Sequence, residues 1–471
     1  MSARKINSYV LFSCIVAALG GLLFGLDQGL MNGALDPIRH SFGLNTKQAA
    51  SFASIMLYGA VVGALVSGVV SFRLGRKLTL IMTALFFVVF AFLSTTTTVF
   101  SHLMVFRFLL GLAVGIASFI VPLYLSEIAP TPQRGGFIAV YQLMITIGIL
   151  LVFITNHYIL AAGFPWQKLF YPIIIPASIM FVCLWFVPQS PRWLCLRGKD
   201  KAANKVLNQI RDDKTVIAQE LAEVSSVAHQ KSGVFSLLFH GFYLKILLLG
   251  VAIQMLQQLT GINAVIYYST TIFSNAGFSN PSIATIIIGV VNMLSTFIAI
   301  FFVDVIGRKK IMYIGLSLML VFLLTSGIIF HVDAMLNQGE VLATWLQRLL
   351  VISTVLFIMS FSMSAGPVAW ILCAEIFPLK GRDLGLTVTT AVNWIFAALV
   401  VGYSLPFMAH QDGSPNLMGG SYLFLFFAFC CFMGILLMYF FTPETKGVSL
   451  ESMEEKLKAG VKMKHIGLTN D

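Results

Sequence analysis

Long apolar runs, each about the length a bilayer requires, alternate with short polar turns along nearly the whole chain. A helix needs roughly 20 apolar residues to cross the hydrocarbon core. Windows at 8–34, 49–71, 78–97, 102–126, 137–160 and 169–187 meet that length, as do 243–275, 282–303, 309–331, 347–375, 383–409 and 420–441. The pattern predicts twelve transmembrane helices, six on each side of a polar stretch at 188–242. The first window follows Arg4 and Lys5, but it is too long for a secretory signal, contains Asp27 and lacks a small-residue cleavage site. It is expected to remain as the first span. Within 197–232, Lys199, Lys201, Lys205, Asp212, Glu220 and Glu223 alternate with Ala, Leu and Val at near-helical spacing. Short helices are expected there, with a solvated linker as the alternative, and a second amphipathic helix is expected at 449–458.

Short motifs recur in the same order in both halves. Gly75-Arg76-Lys77 stands between the second and third runs, and Gly307-Arg308-Lys309 between the eighth and ninth. Glu127-Ile-Ala-Pro130 with Arg134-Gly135 is echoed by Glu375-Ile-Phe-Pro378 with Arg382. Pro188-Gln-Ser-Pro-Arg192 after the sixth run is echoed by Pro443-Glu-Thr-Lys446 after the twelfth. Such a parallel repeat predicts an all-α integral membrane protein of two six-helix bundles, 1–187 and 243–442. A helical linker at 188–242 joins them, and 443–471 forms a tail.

Composition agrees: 58% of the 471 residues are hydrophobic, against ~45–50% for soluble proteins. The net charge of +11 is informative by position. Arg73, Arg76, Lys77, Arg134, the 192–245 stretch, Arg308, Lys309, Lys310, Lys380, Arg382 and the tail fall in alternate turns, whereas the opposite turns hold only Arg39, Lys47, Lys168 and Arg348. The positive-inside rule predicts cytoplasmic termini and a cytoplasmic linker. The basic balance is therefore a topology signal, and no nucleic-acid partner is expected. The six cysteines show no metal-ligand spacing and no exoplasmic pair.

Polar residues inside the runs mark candidate chemistry. An ionisable group at mid-span costs ~2.5–3.5 kcal/mol on insertion scales, so Asp27 and Arg107 are candidates by default. Pairing is the least costly way to keep both inside a bundle. The proton affinity of Asp27 would then depend on whether the two touch, which makes a proton switch; a static structural ion pair is the alternative. Gly21, Gly25, Gly29 and Gly33 give the first span a smooth face for close packing, beside a separate stripe of Phe24, Gln28 and Met31. Gln254, Gln257, Gln258 and Gly261 fall at i, i+3, i+4 and i+7, a polar stripe on an apolar helix, followed by Asn263, Tyr267 and Tyr268. A break near Gly261 would let Gln258 and Asn263 reach one cavity. Amides both donate and accept, and aromatic faces cover C–H surface, so the set suits a neutral polyhydroxylated ligand. Gln142, Asn292, Trp370, Asn393 and Trp394 add the same chemistry; any one of them could instead be interhelical glue.

Taken together, the paired Gly-Arg-Lys turns, Glu127…Arg134-Gly135, Pro188-Gln-Ser-Pro-Arg192, Gln257-Gln258-x-x-Gly261-x-Asn263 and Pro443-Glu-Thr-Lys446-Gly447 resemble the sugar porter family of the major facilitator superfamily. Phe24-Gly-Leu-Asp27, Tyr124-Leu-Ser-Glu127, Tyr141-Gln-Leu-Met and Met363-Ser-Ala-Gly-Pro367 resemble its bacterial galactose–proton and arabinose–proton symporters. The resemblance implies that Gln142, Gln257, Gln258, Asn263, Asn292, Trp370 and Asn393 hold the sugar, with Phe24, Tyr268, Gly366 and Trp394 lining the site. It implies that Asp27 carries the proton with Arg107 as partner. Arg76, Glu127 and Arg134 in one half, and Asp304, Arg308, Glu375 and Arg382 in the other, would form a cytoplasmic gate. The family's acidic residue three before the Gly is present as Asp304 but replaced by Phe72 in the first half, so the second-half latch is expected to be the stronger.

The expectation is a monosaccharide–proton symporter of the cytoplasmic membrane, for a hexose of the galactose or glucose type, working by alternating access as a monomer in the bilayer. It needs no cofactor beyond the proton gradient. A proton-independent uniporter and a pentose–proton symporter are the alternatives, and galactose, glucose, arabinose and xylose remain open. No nucleophile–base set or metal cluster points to an enzyme, no G-x-x-x-x-G-K-[ST] loop to ATP drive, and no charged ring to a channel.

Overall fold

A computed structural model describes residues 7–130, 134–211, 241–336, 344–377 and 381–446, with isolated positions at 214, 217–218, 220–221, 461 and 463. The helix expected at 449–458 lies outside them. Among the described residues, twelve helical segments are long and apolar enough to cross a membrane, in the expected order. The chain is an all-α, multi-pass membrane protein. The first six spans are α1 (Ser8–Phe42), α2 (Thr46–Leu74), α3 (Arg76–Thr96), α4 (Phe100–Ile128), α5 (Arg134–Ala161) and α6 (Tyr171–Cys183), the last flanked by short 3-10 turns. Two short helices follow, α7 (Pro191–Leu196) and α8 (Asp200–Ile210). The later spans are α9 (Gly241–Leu259) with α10 (Ile262–Asn275), α11 (Pro281–Ile306), α12 (Arg308–Leu336), α13 (Thr344–Met363) with α14 (Ala365–Ile376), α15 (Arg382–Met408) and α16 (Leu417–Phe440).

Two spans are broken, and each break has a local cause. Gly261 sits between α9 and α10 at φ 86°, ψ 10°, left-handed backbone that L side chains avoid by roughly 1–2 kcal/mol. A Cβ there would also strike the Phe427 ring. In the tenth span the cause is Pro367, third residue of α14. Proline has no N–H and its ring clashes with the carbonyl four residues back, so α13 ends at Met363. Ser364 then leaves the helix at φ −130°, ψ −91°, its hydroxyl donating to the Ser360 carbonyl at 2.5 Å.

The chain forms two compact units. One comprises Met1–Asp27, Gly59–Ile149 and Phe170–Ser232. In it α3 packs on α4 and α6, and the glycine face of α1 lies on α5. A Cβ on Gly21 would meet the Tyr141 ring at 2.8 Å, and one on Gly25 would strike the Ile145 carbonyl. The described part of the polar stretch after α6, 188–211, packs one face against the protein. Ala203, Leu207 and Ile210 bury one stripe of α8, and Ala203 joins Trp193, Leu194 and Cys195 in a small core. Arg211 fastens α8 to the end of α4, donating to the carbonyls of Ile128 (2.8 Å) and Ala129 (3.2 Å).

The other unit comprises Gln28–Tyr58, Leu150–Leu169 and Gly233–Asp471. Here α12 packs on α13 and α16, α9 on α15, and α11 on α13. The C-terminal part of α1, the start of α2 and the end of α5 also belong to it, and hydrogen bonds hold them there. Asn32 donates to Ser269 Oγ (2.5 Å) and the Ile266 carbonyl (3.0 Å) and accepts from Thr270. His157 Nδ1 meets Ser282 Oγ at 2.8 Å. Thr46 donates to the His410 carbonyl.

Candidate functional site

The polar stripe of α9 faces α15, and the break at Gly261 turns Asn263 back toward it. The result is a directed chain of buried amides. Gln28 Nε2 donates to Asn263 Oδ1 (2.6 Å), and Asn263 Nδ2 to Gln258 Oε1 (2.6 Å). Gln258 Nε2 donates to Asn393 Oδ1 (2.9 Å), and Asn393 Nδ2 to both Gln254 Oε1 (2.6 Å) and Gln257 Oε1 (2.5 Å). Gln257 Nε2 ends the chain on the carbonyls of Ala365 (2.9 Å) and Gly366 (3.2 Å), at the break that Pro367 causes. Two interrupted helices and α15 thus supply nearly all of it. A buried amide without partners is destabilising by about 1–3 kcal/mol, so the chain satisfies itself. A hydroxyl group can enter any of its links, accepting from the N–H and donating to the C=O.

The remaining predicted sugar residues are distributed around this chain or apart from it. Asn292 of α11 accepts from Ser362 Oγ (2.6 Å), away from the amide series. The Tyr268 hydroxyl donates to the Val401 carbonyl (2.8 Å). Trp394 is buried beside Asn393 on α15, and Trp370 is half-buried on α14. Phe24 on α1 and Gln142 on α5 belong to the first unit, both half-buried.

In that first unit Asp27 and Arg107 form an ion pair, each with 0% side-chain exposure. Asp27 Oδ1 takes the bond from Arg107 Nη1. Asp27 Oδ2 and Arg107 Nε and Nη2 have no hydrogen-bond partner among the described residues. A pair closed on one atom from each side can separate by a small side-chain movement, unlike a two-pronged fork.

The repeated basic turns are built alike. Gly75 and Gly307 have φ of 86° and 99°, which frees the following N–H groups to be capped. In the first copy Gln189 Oε1 accepts from Lys77 N (2.9 Å), and Lys77 Nζ donates to the Trp185 carbonyl (2.7 Å). In the second, Glu444 accepts from Arg308 N and Lys309 N (both 3.1 Å), and Lys309 Nζ donates to the Thr442 carbonyl (2.8 Å). The Pro-Gln-Ser-Pro and Pro-Glu-Thr-Lys motifs are therefore the helix caps of the two turns. A carboxylate at a helix N-terminus gains from the dipole as well as the bonds. Glu444→Ala is expected to lower stability by about 1–2 kcal/mol. Gln189→Ala should lower it less, as read from unfolding temperatures of the purified variants in detergent.

Each turn's Arg reaches the matching Glu, but unequally. Arg76 grips Glu127 with two bonds of 2.8 Å, both side chains nearly buried. Arg308 meets Glu375 at 3.1 Å through Nη2, with more exposure on both sides. The expectation of a stronger second-half latch rests on Asp304, whose side chain, like that of Arg134, lies outside the described residues. Arg382 points to the backbone, donating from Nε to the Ala374 carbonyl (2.9 Å).

Comparison with known proteins then becomes decisive. The family of sugar (and other) transporters matches residues 13–457. The chain belongs to this family. It is 39% identical over 468 residues to the galactose-proton symporter of Escherichia coli, covering 98% of each chain. To the arabinose-proton symporter of Escherichia coli it is 38% identical over 469 residues, 99% of this chain and 96% of that one. Among solved structures it matches the major facilitator superfamily proton:xylose symporter bound to 6-bromo-6-deoxy-D-glucose. The TM-score is 0.79 at 29% identity, over 96% of this chain and 99% of that one. Family members are transporters, not enzymes, and the fold is the major facilitator fold.

Three features of this sugar transporter escaped the sequence reading as site elements. The sequence puts Gln28 in a stripe with Phe24 and Met31 but gives it no partner. Asn32, one turn further along, ties α1 to α10. Ser362 holds Asn292. The signal in the sequence is the i, i+4 spacing of Gln28 and Asn32 on a largely apolar helix.

Proposed function

We infer that the protein imports a monosaccharide together with a proton by alternating access. One observation carries the reading: among the described residues, the apolar spans hold a connected chain of uncharged amides and, at Asp27 and Arg107, a carboxylate–guanidinium pair with no side-chain exposure. The amides match hydroxyl groups without a net charge to balance, and the pair offers a single site whose occupation by a proton changes a local charge. Two relatives covering nearly the whole chain are named as sugar–proton symporters, which supports the same assignment.

In this reading Gln142, Gln257, Gln258, Asn263, Asn292, Trp370 and Asn393 bind the sugar, with Phe24, Tyr268, Gly366 and Trp394 around it. Protonation of Asp27 releases Arg107 and favours sugar binding from outside. Lys and Arg accumulate in the turns that carry Gly75 and Gly307, which supports a cytoplasmic position for these turns and both termini. The protein then sits in the cytoplasmic membrane as two six-helix bundles and acts as a monomer without a cofactor. The pairs Arg76–Glu127 and Arg308–Glu375 latch the cytoplasmic side, with Arg134, Asp304 and Arg382 in the same gate. The ties of Asn32, Thr46 and His157 lie toward the opposite side and must loosen when sugar enters. Coupling requires only that proton and sugar prefer the same state by a few kcal/mol.

The test is proton movement. Adding the transported sugar to a lightly buffered, de-energised suspension of cells expressing the protein should alkalinise the medium as protons enter with sugar. Entry of labelled sugar with no pH change would instead establish a uniporter. Counterflow across galactose, glucose, arabinose and xylose identifies the substrate.

A further inference from the structure

We propose that Gln28 is a sugar-contacting residue, the contribution of α1 to the amide site; this rests on the transport function inferred above. Gln28 is 7% exposed, and its Nε2 is 2.6 Å from Asn263 Oδ1. It is therefore the first donor of the series that runs through Gln258 and Asn393. Asn263, Gln258, Asn393 and Gln257 each use their oxygen for the preceding N–H and their NH2 for the following oxygen. A hydroxyl can open a link of this kind without leaving either side unsatisfied, because it accepts and donates at once.

The link from Gln28 to Asn263 differs from the rest in what it joins. The other links connect α9, α10, α14 and α15, whereas this one reaches across to α1. A sugar hydroxyl inserted there bridges α1 to the amide site and adds a directional contact that an epimer with the hydroxyl turned away could not make. Asp27 is the preceding residue of the same helical turn, so the sugar would act on the segment that carries the proton site. Gln28 is a binding and specificity residue, not a proton carrier.

The experiment pairs a variant with a set of altered sugars. Gln28→Met keeps the length and volume of the side chain and removes its hydrogen bonds. Wild type and variant are reconstituted in proteoliposomes. Counterflow is measured first with galactose, glucose, arabinose and xylose, then with the monodeoxy analogues of whichever is preferred. The variant should raise KM about tenfold or more, within the range expected for an unsatisfied buried amide, with the maximal rate changed less than threefold. One monodeoxy analogue should lose about tenfold in the wild type and lose nothing further in Gln28→Met. Its hydroxyl is then the group Gln28 holds.

A tie between helices alone would weaken transport of every analogue by the same factor, and that outcome overturns the proposal. So does an unchanged KM. Gln28→Asn, one methylene shorter with the amide retained, covers the case of a poorly folding methionine variant. It should raise KM yet keep discrimination at the same hydroxyl, and loss of transport with no hydroxyl dependence counts against the proposal. If the wild type exchanges none of the sugars, the transport reading fails and takes this inference with it. If only the variant comparison fails, the transport reading stands.

Discussion

Asp27→Asn is expected to abolish gradient-driven sugar accumulation while leaving sugar exchange running. Asparagine keeps the shape and can still accept from Arg107, but it has no proton to carry. A membrane potential of 100 mV is worth ~2.3 kcal/mol per charge moved, which at about 1.4 kcal/mol per decade permits roughly fifty-fold accumulation for one proton per sugar. In proteoliposomes with an imposed gradient the variant should equilibrate labelled sugar at a ratio of one, with counterflow retained. Accumulation that persists would remove Asp27 from the coupling role. The same substitution leaves the Arg107 charge buried without its carboxylate, and removing one member of a buried pair typically costs ~3–5 kcal/mol. Adding Arg107→Gln to Asp27→Asn should therefore restore much of the lost thermal stability without restoring accumulation. That combination separates a static ion pair, for which stability alone matters, from a proton site.

Gly261→Ala is expected to be nearly as damaging, through the backbone. The left-handed conformation costs an L residue ~1–2 kcal/mol. The new methyl also strikes the Phe427 ring, and overpacking of this kind adds ~1–3 kcal/mol. The least strained escape is to rewind the break toward regular helix. That rotates Asn263 away from Gln258 and opens the amide chain at the bond now 2.6 Å long. Counterflow should fall by at least tenfold and the unfolding temperature should drop. Wild-type kinetics in the variant would show that the break is not needed to assemble the site.

Much of this architecture is legible because membranes punish polarity. Asp27 and Arg107 stand out since few residues of their kind are tolerated in mid-span, and the structure brings them into contact. The amides at i, i+3 and i+4 are legible because a polar stripe on an apolar helix must face protein. Gly261 followed by Asn263 signals the break, because glycine is the residue that enters left-handed backbone freely. The second break could have been placed from Pro367, whose ring forbids the carbonyl of Met363 its helical position. Other relations were out of reach. A lone Gln28 on α1 reads the same whether it binds ligand or joins helices. The two-bond grip of Arg76 on Glu127 was also out of reach, because it depends on fork orientation and burial, not on which residues are present. That the Arg382 guanidinium also donates to the Ala374 carbonyl, which the end of α14 leaves open, is equally invisible in the sequence.

By itself the sequence determined the twelve spans, the repeat, the sugar-transporter family and the polar residues on which chemistry depends. Each follows from a local rule: apolar length, recurrence of motifs, or the free energy of burying a charge or an amide. Only the tertiary structure decided which amide donates to which, that Gln28 heads the series, that the first latch is the two-pronged one and that Gln189 and Glu444 cap the paired turns. Those outcomes depend on distances of a few tenths of an ångström between residues far apart in the chain. Hydrogen bonds lose their strength over such distances, while the patterns that specify a helix or a span are indifferent to them.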